Sequence, residues 1–145
     1  MVDVSAKRVT LRTAVARGRV FMHRDTLRLL KTGRTPKGDV LATAHLAGVM
    51  AAKRTSELVP LAHPLPLDRV EVAFSLDDST ASVGIESRVA CRGRTGVELE
   101  ALTAAMISAL TLYDMLKAVD RGMVMGEFAL WEKRGGRSGT YRRRA

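Results

Sequence analysis

The chain has 145 residues, which suffice for one domain with a substantial core but not for two. Apolar residues make up 46% of the chain and aromatic residues only 4%, so aliphatic side chains must build the core. No run of about 18 apolar residues occurs, no apolar signal segment begins the chain, and a single cysteine, Cys91, allows no internal disulfide. We therefore expect one cytoplasmic domain over residues 1–145, with residues 1–7 and 141–145 as candidate flexible ends.

The net charge of +9 is distributed unevenly along the chain. Residues 1–34 carry a net +7 and residues 133–145 a net +6, whereas residues 35–132 carry a net −4. Positive charge at both ends suggests that some basic side chains reach a concentrated anion, such as a phosphate chain. For residues 141–145 we prefer the alternative of a solvated tail.

The first part of the chain predicts a strand and two helices. Residues 8–22 alternate loosely between apolar and polar types and include β-branched residues, which favours strand structure. Asp25 is the expected N-cap of a short helix over residues 26–31. Asp39 is the expected N-cap of a second helix, residues 40–54, whose small residues allow close packing against another helix.

A proline-rich segment and a hairpin come next. Residues 55–67 contain three prolines, which remove amide donors and fix φ, so we expect an ordered extended loop there. Residues 69–76 and 81–89 alternate regularly and are separated by turn-forming residues, which predicts a β-hairpin.

The last part predicts a long helix and a final strand. Thr95 and Glu98 have the spacing of a capping box, which opens a helix to about Val119. Residues 123–132 form the last expected strand. The order β-α-β-β-α-β, with one extra short helix, predicts an α+β fold of the ferredoxin-like split βαβ type, with an antiparallel sheet packed on helices.

No phosphate-binding glycine motif, zinc-type spacing or nucleophile elbow occurs in the sequence. Two ionisable residues nevertheless occupy positions suited to chemistry. Lys37 precedes a helix N-terminus, where an anion meets an ammonium group and unpaired amides; the alternative is a solvated lysine in a turn. His63 lies in a proline-stiffened loop that could hold an imidazole for proton transfer; the alternative is a structural histidine.

The long helix carries charged residues at both ends. Asp114 and Lys117 lie three residues apart on an otherwise apolar helix, so we interpret them as a buried acid/base pair with shifted pKa values. The alternative is an exposed ion pair. Glu98 and Glu100 begin the same helix, where the helix dipole also favours acids. Since Glu98 and Asp114 are roughly 24 Å apart along a helix, we predict an active site shared across a subunit interface.

Four stretches of the sequence together resemble one family. They are MVDVS, KGDVLATAHLAGVMAAKRTSELVPLAHPLPL, GRTGVELEALTAAMISALTLYDMLKAVDRGM and GGRSG. They resemble the cyclic pyranopterin monophosphate synthases, the molybdenum-cofactor accessory protein C family, over nearly the whole chain.

This resemblance implies a ferredoxin-like subunit in a homohexamer, a trimer of dimers with active sites at the dimer interface. The implied substrate is 3′,8-cyclo-7,8-dihydro-GTP, which is converted to cyclic pyranopterin monophosphate with release of pyrophosphate. The resemblance implies no required cofactor and no bound metal, although Mg²⁺ could accompany the triphosphate.

The resemblance also implies site residues. The ring rearrangement needs proton donors and acceptors, which Lys117 and Lys37 can supply if burial lowers their pKa values. Two departures from the family are visible: Arg137 replaces the usual lysine, and Ala62 stands where cysteine is common. The implied catalytic residues are Lys37, Asp114 and Lys117, and the implied substrate-binding residues are Leu61, Ala62, His63, Glu98, Leu99, Glu100, Lys133 and Arg137.

Two functions are alternatives to that of an enzyme. An RNA-binding module has the same order of elements, but it needs exposed aromatic residues on its central strands. Residues 81–89 contain none. A non-catalytic nucleotide-binding domain is the second alternative, which the Asp114 and Lys117 pair disfavours. We therefore expect a small-molecule substrate and no nucleic-acid or membrane partner.

Overall fold

The computed structural model describes residues 1–144 and confirms the expected ferredoxin-like α+β fold. All strand pairs are antiparallel. The strands are β1 (Thr10–Phe21), β2 (Leu67–Asp77), β3 (Ser82–Gly93), β4 (Val124–Arg134) and β5 (Tyr141–Arg142), and the helices are α1 (Arg24–Thr32), α2 (Val40–Lys53), α3 (Thr55–Leu58) and α4 (Glu98–Leu116). In the sheet order β2-β3-β1-β4-β5, β3 lies between β1 and β2, as in a split βαβ unit.

The two longest helices pack closely against each other. A Cβ atom on Gly48 would lie 2.3 Å from Ser108 Oγ and 3.0 Å from the Ala104 carbonyl oxygen, so only glycine fits there. Ser108 Oγ donates a hydrogen bond of 2.9 Å to the Ala44 carbonyl. The predicted close approach through small residues is confirmed, and α2 and α4 run antiparallel.

The core is built mainly from small and aliphatic side chains. Val20 and Val83 of the sheet are fully buried beside Leu112 and Leu116 of α4. The apolar composition of α4 suggested that the helix is buried on all sides. However, Leu99, Met106 and Leu110 are exposed, so one face of the helix is not covered. By length and composition α4 is long and apolar enough to cross a membrane, but half of its apolar segment is buried inside the fold.

One predicted helix cap is confirmed and two are wrong. Asp39 accepts a hydrogen bond of 3.0 Å from the Ala42 amide at the start of α2. Asp25 does not cap α1: it lies in the first turn, exposed, and pairs with Arg28. Thr95 does not cap α4 either, because the N-cap is Val97, which makes no side-chain capping bond. The helix then ends at Leu116, earlier than Val119.

The N-terminus of α1 is stabilised by a residue that is distant in sequence. Asp120 is buried and accepts hydrogen bonds of 2.9 Å from the His23 amide and 3.0 Å from the Thr26 hydroxyl. It also accepts from the Gly122 amide. Burial opposes its charge, but these bonds outweigh burial and lower the pKa of Asp120. Asp120 therefore stabilises the start of α1 through the His23 amide and the Thr26 hydroxyl, although it accepts from no amide inside the helix.

The segment after α2 differs from the expected extended loop. Thr55–Leu58 forms a short helix, α3, because the Thr55 hydroxyl donates to the carbonyls of Ala51 and Ala52 and the first proline, Pro60, comes only afterwards. A turn follows α3, closed by a hydrogen bond of 3.0 Å from the Ala62 amide to the Val59 carbonyl, and residues 62–66 have no regular secondary structure before β2. At the other end, β5 is a two-residue strand that the sequence did not predict, and Ala145 lies outside the described residues.

We expect Asp120→Ala to lower the free energy of unfolding by about 1–3 kcal/mol, because it leaves buried donors without an acceptor. Urea unfolding followed by circular dichroism measures this change. Because the folded-state pKa of Asp120 is lowered, its contribution is complete well above the ordinary aspartate pKa and is lost as the pH falls through the folded value. Asp68→Ala, at an exposed aspartate, is the control; equal effects of the two substitutions would contradict the stabilising role of Asp120.

Candidate active site

Three of the predicted site residues form one cluster at the C-terminal end of α4, here the Asp114 cluster. Lys37 Nζ lies 2.8 Å from Asp114 Oδ2, and Lys117 Nζ lies 2.8 Å from Asp114 Oδ1. Lys37 Nζ also donates to the Asp114 backbone carbonyl at 3.0 Å. One carboxylate therefore holds two ammonium groups that come from different parts of the chain.

Local structure explains how these residues meet. Asp114 and Lys117 are one helical turn apart, so their side chains share a face. Lys37 lies in the turn before α2, which the Thr35 hydroxyl closes by donating to the Gly38 carbonyl. Gly38 has a φ of +88°, which favours glycine at that position. Because α2 runs antiparallel to α4, this turn lies beside the end of α4.

The electrostatics of the Asp114 cluster differ from those expected. The side chains are about half exposed, 52% for Asp114 and 51% for Lys117, so the interpretation of a buried pair is wrong. Hydrogen bonds from Lys117 and Lys37 lower the pKa of Asp114 to about 2. The hydrogen bond to Asp114 raises the pKa of Lys117, so the expected lowering of that pKa is also wrong. Asp114 and Lys117 therefore remain charged near neutral pH, and Lys117 can act first as a proton donor.

A second group of predicted residues lines a cavity at the other end of α4, here the His63 cavity. Its volume is about 480 Å³, and apolar side chains make up most of its wall. The proline-rich loop contributes one side and the start of α4 the other. The lining residues are Met1, Val2, Val4, Lys7, Leu61, Ala62, His63, Leu65, Thr95, Gly96, Leu99 and Glu100.

Glu100 is the most unusual residue of the His63 cavity. Its side chain is 4% exposed, and its Oε2 atom has no hydrogen-bond partner among residues 1–144. Burial, together with the neighbouring charge of Glu98, raises the pKa of Glu100. A buried acceptor without a donor costs free energy, so a ligand that offers N–H groups would be stabilised here.

Two of the remaining predicted residues, Glu98 and Lys133, lie beside the His63 cavity. Lys133 Nζ lies 3.5 Å from Glu98 Oε1 and also donates to the Ser138 hydroxyl. Glu98, Lys133 and Ser138 all line a neighbouring shallow cavity of about 500 Å³. Arg137 is exposed in the loop after β4 and forms no ion pair with the residues described. Of the two basic residues predicted to bind phosphate, Lys133 therefore lies near the His63 cavity, whereas Arg137 is not paired with the residues there.

The sequence missed several residues of this region. Residues 1–7 supply one wall of the His63 cavity, and His63 Nε2 donates a hydrogen bond of 3.0 Å to the Val2 carbonyl. The stretch MVDVS was noticed as part of a resemblance, but nothing in it indicates where it lies in the fold. Arg12 was also missed; it is buried, and its guanidinium donates to the carbonyls of Gly93 and Arg94.

Within one chain the two clusters stay apart. Glu100 begins α4 and Asp114 lies in its last turn, so the length of the helix separates the His63 cavity from the Asp114 cluster. No group of three or more His, Cys, Asp or Glu within residues 1–144 is arranged to hold a metal ion. The lysine and carboxylate side chains at the two ends of α4 can offer proton transfer and anion binding.

Comparison with known proteins gives a consistent result. The sequence model of the MoaC family matches residues 1–136. The cyclic pyranopterin monophosphate synthase of Heliobacterium modesticaldum is 60% identical over 141 residues, covering 97% of this chain and 89% of the relative. Those of Thermomicrobium roseum and Chloroflexus aurantiacus are 59% and 57% identical over 143 residues, covering 99% of this chain and 86% and 88% of the relatives.

We expect Asp114→Asn to lower the pKa of Lys117, because the substitution replaces a hydrogen bond to a carboxylate with a weaker one to a neutral amide and removes the negative charge. The pKa is measured by ¹³C NMR titration of the lysine side-chain carbons. Asp25→Asn, which breaks the exposed pair with Arg28, should leave Lys117 unchanged. A Lys117 pKa that is the same in the wild type and in Asp114→Asn contradicts this account of the cluster.

Proposed function

We propose that this chain, which belongs to the MoaC family, is a cyclic pyranopterin monophosphate synthase of molybdenum-cofactor biosynthesis. In this reaction 3′,8-cyclo-7,8-dihydro-GTP is rearranged to cyclic pyranopterin monophosphate, and pyrophosphate is released. The observation that carries the proposal is the Asp114 cluster. In it the Nζ atoms of two lysines each lie 2.8 Å from an oxygen of one carboxylate.

The Asp114 cluster suits a reaction that opens one ring and closes another. Such a rearrangement needs protons delivered to some atoms and removed from others. We assign Lys117 and Lys37 to these transfers, with Asp114 orienting both ammonium groups. Because pairing with Asp114 holds Lys117 protonated, substrate must displace part of this network before Lys117 can accept a proton.

We assign recognition of the purine-derived ring to the His63 cavity. The unpartnered carboxylate oxygen of Glu100 can accept from the N–H groups of a guanine-type edge. Leu61, Ala62 and Leu99 supply apolar contacts around the ring, and His63 supplies a polar contact at the wall.

The triphosphate requires cations near this cavity. Lys133 is paired with Glu98 at the edge of the cavity. Arg137 lies in the glycine-rich loop that follows β4. We assign both to the phosphates, with Arg137 replacing the lysine that is usual in the family. The proposal needs no resident cofactor, and Mg²⁺ would enter as a partner of the substrate phosphates.

The two clusters become one site if two chains associate through their helices. Exposed apolar residues on α2 and α4, namely Leu46, Met50, Met106 and Leu110, form a surface suited to a second copy. A two-fold axis across α4 would place the N-terminal end of one α4 beside the C-terminal end of the other. We therefore propose a homohexamer built as a trimer of dimers, with each active site shared at a dimer interface.

We place this enzyme in the cytoplasm, acting on a small molecule with neither a membrane nor a nucleic-acid partner. The RNA-binding alternative lacks support on the sheet: β3 carries no aromatic residue. Trp131 on β4 is only partly exposed, and the Arg17 guanidinium lies 4.6 Å above its ring. A stacking platform for bases is therefore not available on the central strands.

Purified protein supplied with 3′,8-cyclo-7,8-dihydro-GTP should release pyrophosphate and form the pterin product, measured by a coupled phosphate assay and chromatography. Lys117→Ala should lower kcat by at least about 100-fold, since loss of a general acid or base typically costs that much. Lys53→Ala, an exposed lysine on α2, is the matched control. A wild type that binds this substrate without turnover would favour the non-catalytic alternative.

Mixing inactive Glu100→Gln and Asp114→Asn proteins should restore part of the activity. A mixed dimer contains one site in which both residues are intact, because each site takes Glu100 from one chain and Asp114 from the other. Subunit exchange is verified by native mass spectrometry. Mixed oligomers that remain inactive would contradict the shared site while leaving the assigned reaction in place.

A further inference from the structure

The first seven residues, here the N-terminal strap, form an ordered turn against the His63 cavity. The Ser5 amide donates to the Asp3 carboxylate at 2.8 Å, and the Lys7 amide donates to the Val4 carbonyl at 3.0 Å. Val4 is partly buried, whereas its neighbours in the strap are exposed. The strap is therefore anchored through Val4 and has a defined shape of its own.

A hydrogen bond connects the strap to His63. The Val2 carbonyl lies 3.0 Å from His63 Nε2. A carbonyl oxygen can only accept, so Nε2 must carry a proton. In the neutral ring this bond selects the Nε2–H tautomer and leaves Nδ1 as the acceptor. The strap thus fixes both the orientation and the tautomer of the imidazole.

The strap also brings a cation to the His63 cavity. Lys7 is the only lysine or arginine among the residues that line the cavity, and it forms no ion pair with any residue described. The opposite charge in the wall is the buried carboxyl group of Glu100. A cavity that combines a carboxyl acceptor with a cationic donor matches a ring that presents N–H groups next to a carbonyl oxygen, as a guanine-type edge does.

We propose that the N-terminal strap is part of the substrate pocket: it holds His63 as an Nε2–H donor, and Lys7 binds the carbonyl oxygen of the purine-derived ring. This assignment rests on the proposed function for the identity of the substrate. It gives Lys7 a binding role and gives the strap backbone a positioning role. Neither role requires a change in the catalytic chemistry of the Asp114 cluster.

The positioning role is tested without turnover. The protein has three histidines, so ¹⁵N solid-state NMR of the histidine-labelled full chain resolves them, and His63→Gln identifies the signal of interest. We expect the Nε2–H tautomer for His63 in the wild type above pH 8. Val4→Asp should release the strap and give a mixture of tautomers, whereas Val9→Asp, at an exposed position, should not. An Nδ1–H tautomer in the wild type would overturn the positioning role.

The binding role is tested by kinetics with 3′,8-cyclo-7,8-dihydro-GTP. Lys7→Met should raise KM about tenfold or more, because a charged hydrogen bond to the substrate is lost, and should leave kcat within about twofold of the wild type. Lys7→Arg should recover most of the affinity, and Lys53→Met controls for the change in net charge. An active wild type whose KM is insensitive to Lys7→Met refutes this inference alone.

A failure of the proposed function gives a different result. In that case the wild type itself does not turn over the substrate, while the NMR measurement still decides whether the strap sets the His63 tautomer. Competition by guanosine, which lacks phosphates, separates the ring from the triphosphate as the target of Lys7. Weaker inhibition of Lys7→Met by guanosine supports the ring assignment, and unchanged inhibition contradicts it.

Discussion

The antiparallel contact between α2 and α4 determines where the loops that carry Lys37 and His63 meet the two ends of α4. The helices are so close at Gly48 and Ser108 that no residue other than glycine fits at position 48. The loop before α2 then reaches the C-terminal end of α4, where Lys37 meets Asp114. The loop after α2 reaches the N-terminal end of α4, where His63 lies near Glu100. A single packing contact thus positions two loops that have different chemical roles.

The two ends of α4 differ in how their charges are compensated. At the C-terminal end, Asp114 is satisfied by two ammonium groups, so the network is stable in the free protein and substrate must compete with it. At the N-terminal end, Glu100 is buried without a donor, so the free protein carries a cost that a ligand can relieve. Binding should therefore be driven mainly at the N-terminal end, while the C-terminal end is reserved for proton transfer.

Local signals in the sequence predicted the elements well, and non-local contacts limited the rest. Alternation of residue types located the strands, and Asp39 capped α2 as its position indicated. The contact that stabilises the start of α1 could not be predicted, because Asp120 lies more than ninety residues from the His23 amide that donates to it. The pairing of Asp114 with Lys117 followed from helical spacing, but the contact with Lys37 depends on tertiary structure, and so does the position of the N-terminal strap.

The wrong expectation about the burial of Asp114 has a physical cause that bears on assembly. A helix that is apolar on every side has the same sequence pattern whether its second face meets the core of its own chain or a second copy. Within one chain, Met106 and Leu110 remain exposed, and the charged residues near them are exposed too. If that face is covered by a second α4, Asp114 and Lys117 lose solvent in the assembly. The burial of Asp114 and Lys117 that the sequence suggested would then occur only in the oligomer. There, loss of solvent lowers the pKa of a lysine and strengthens electrostatic contacts with an anionic substrate.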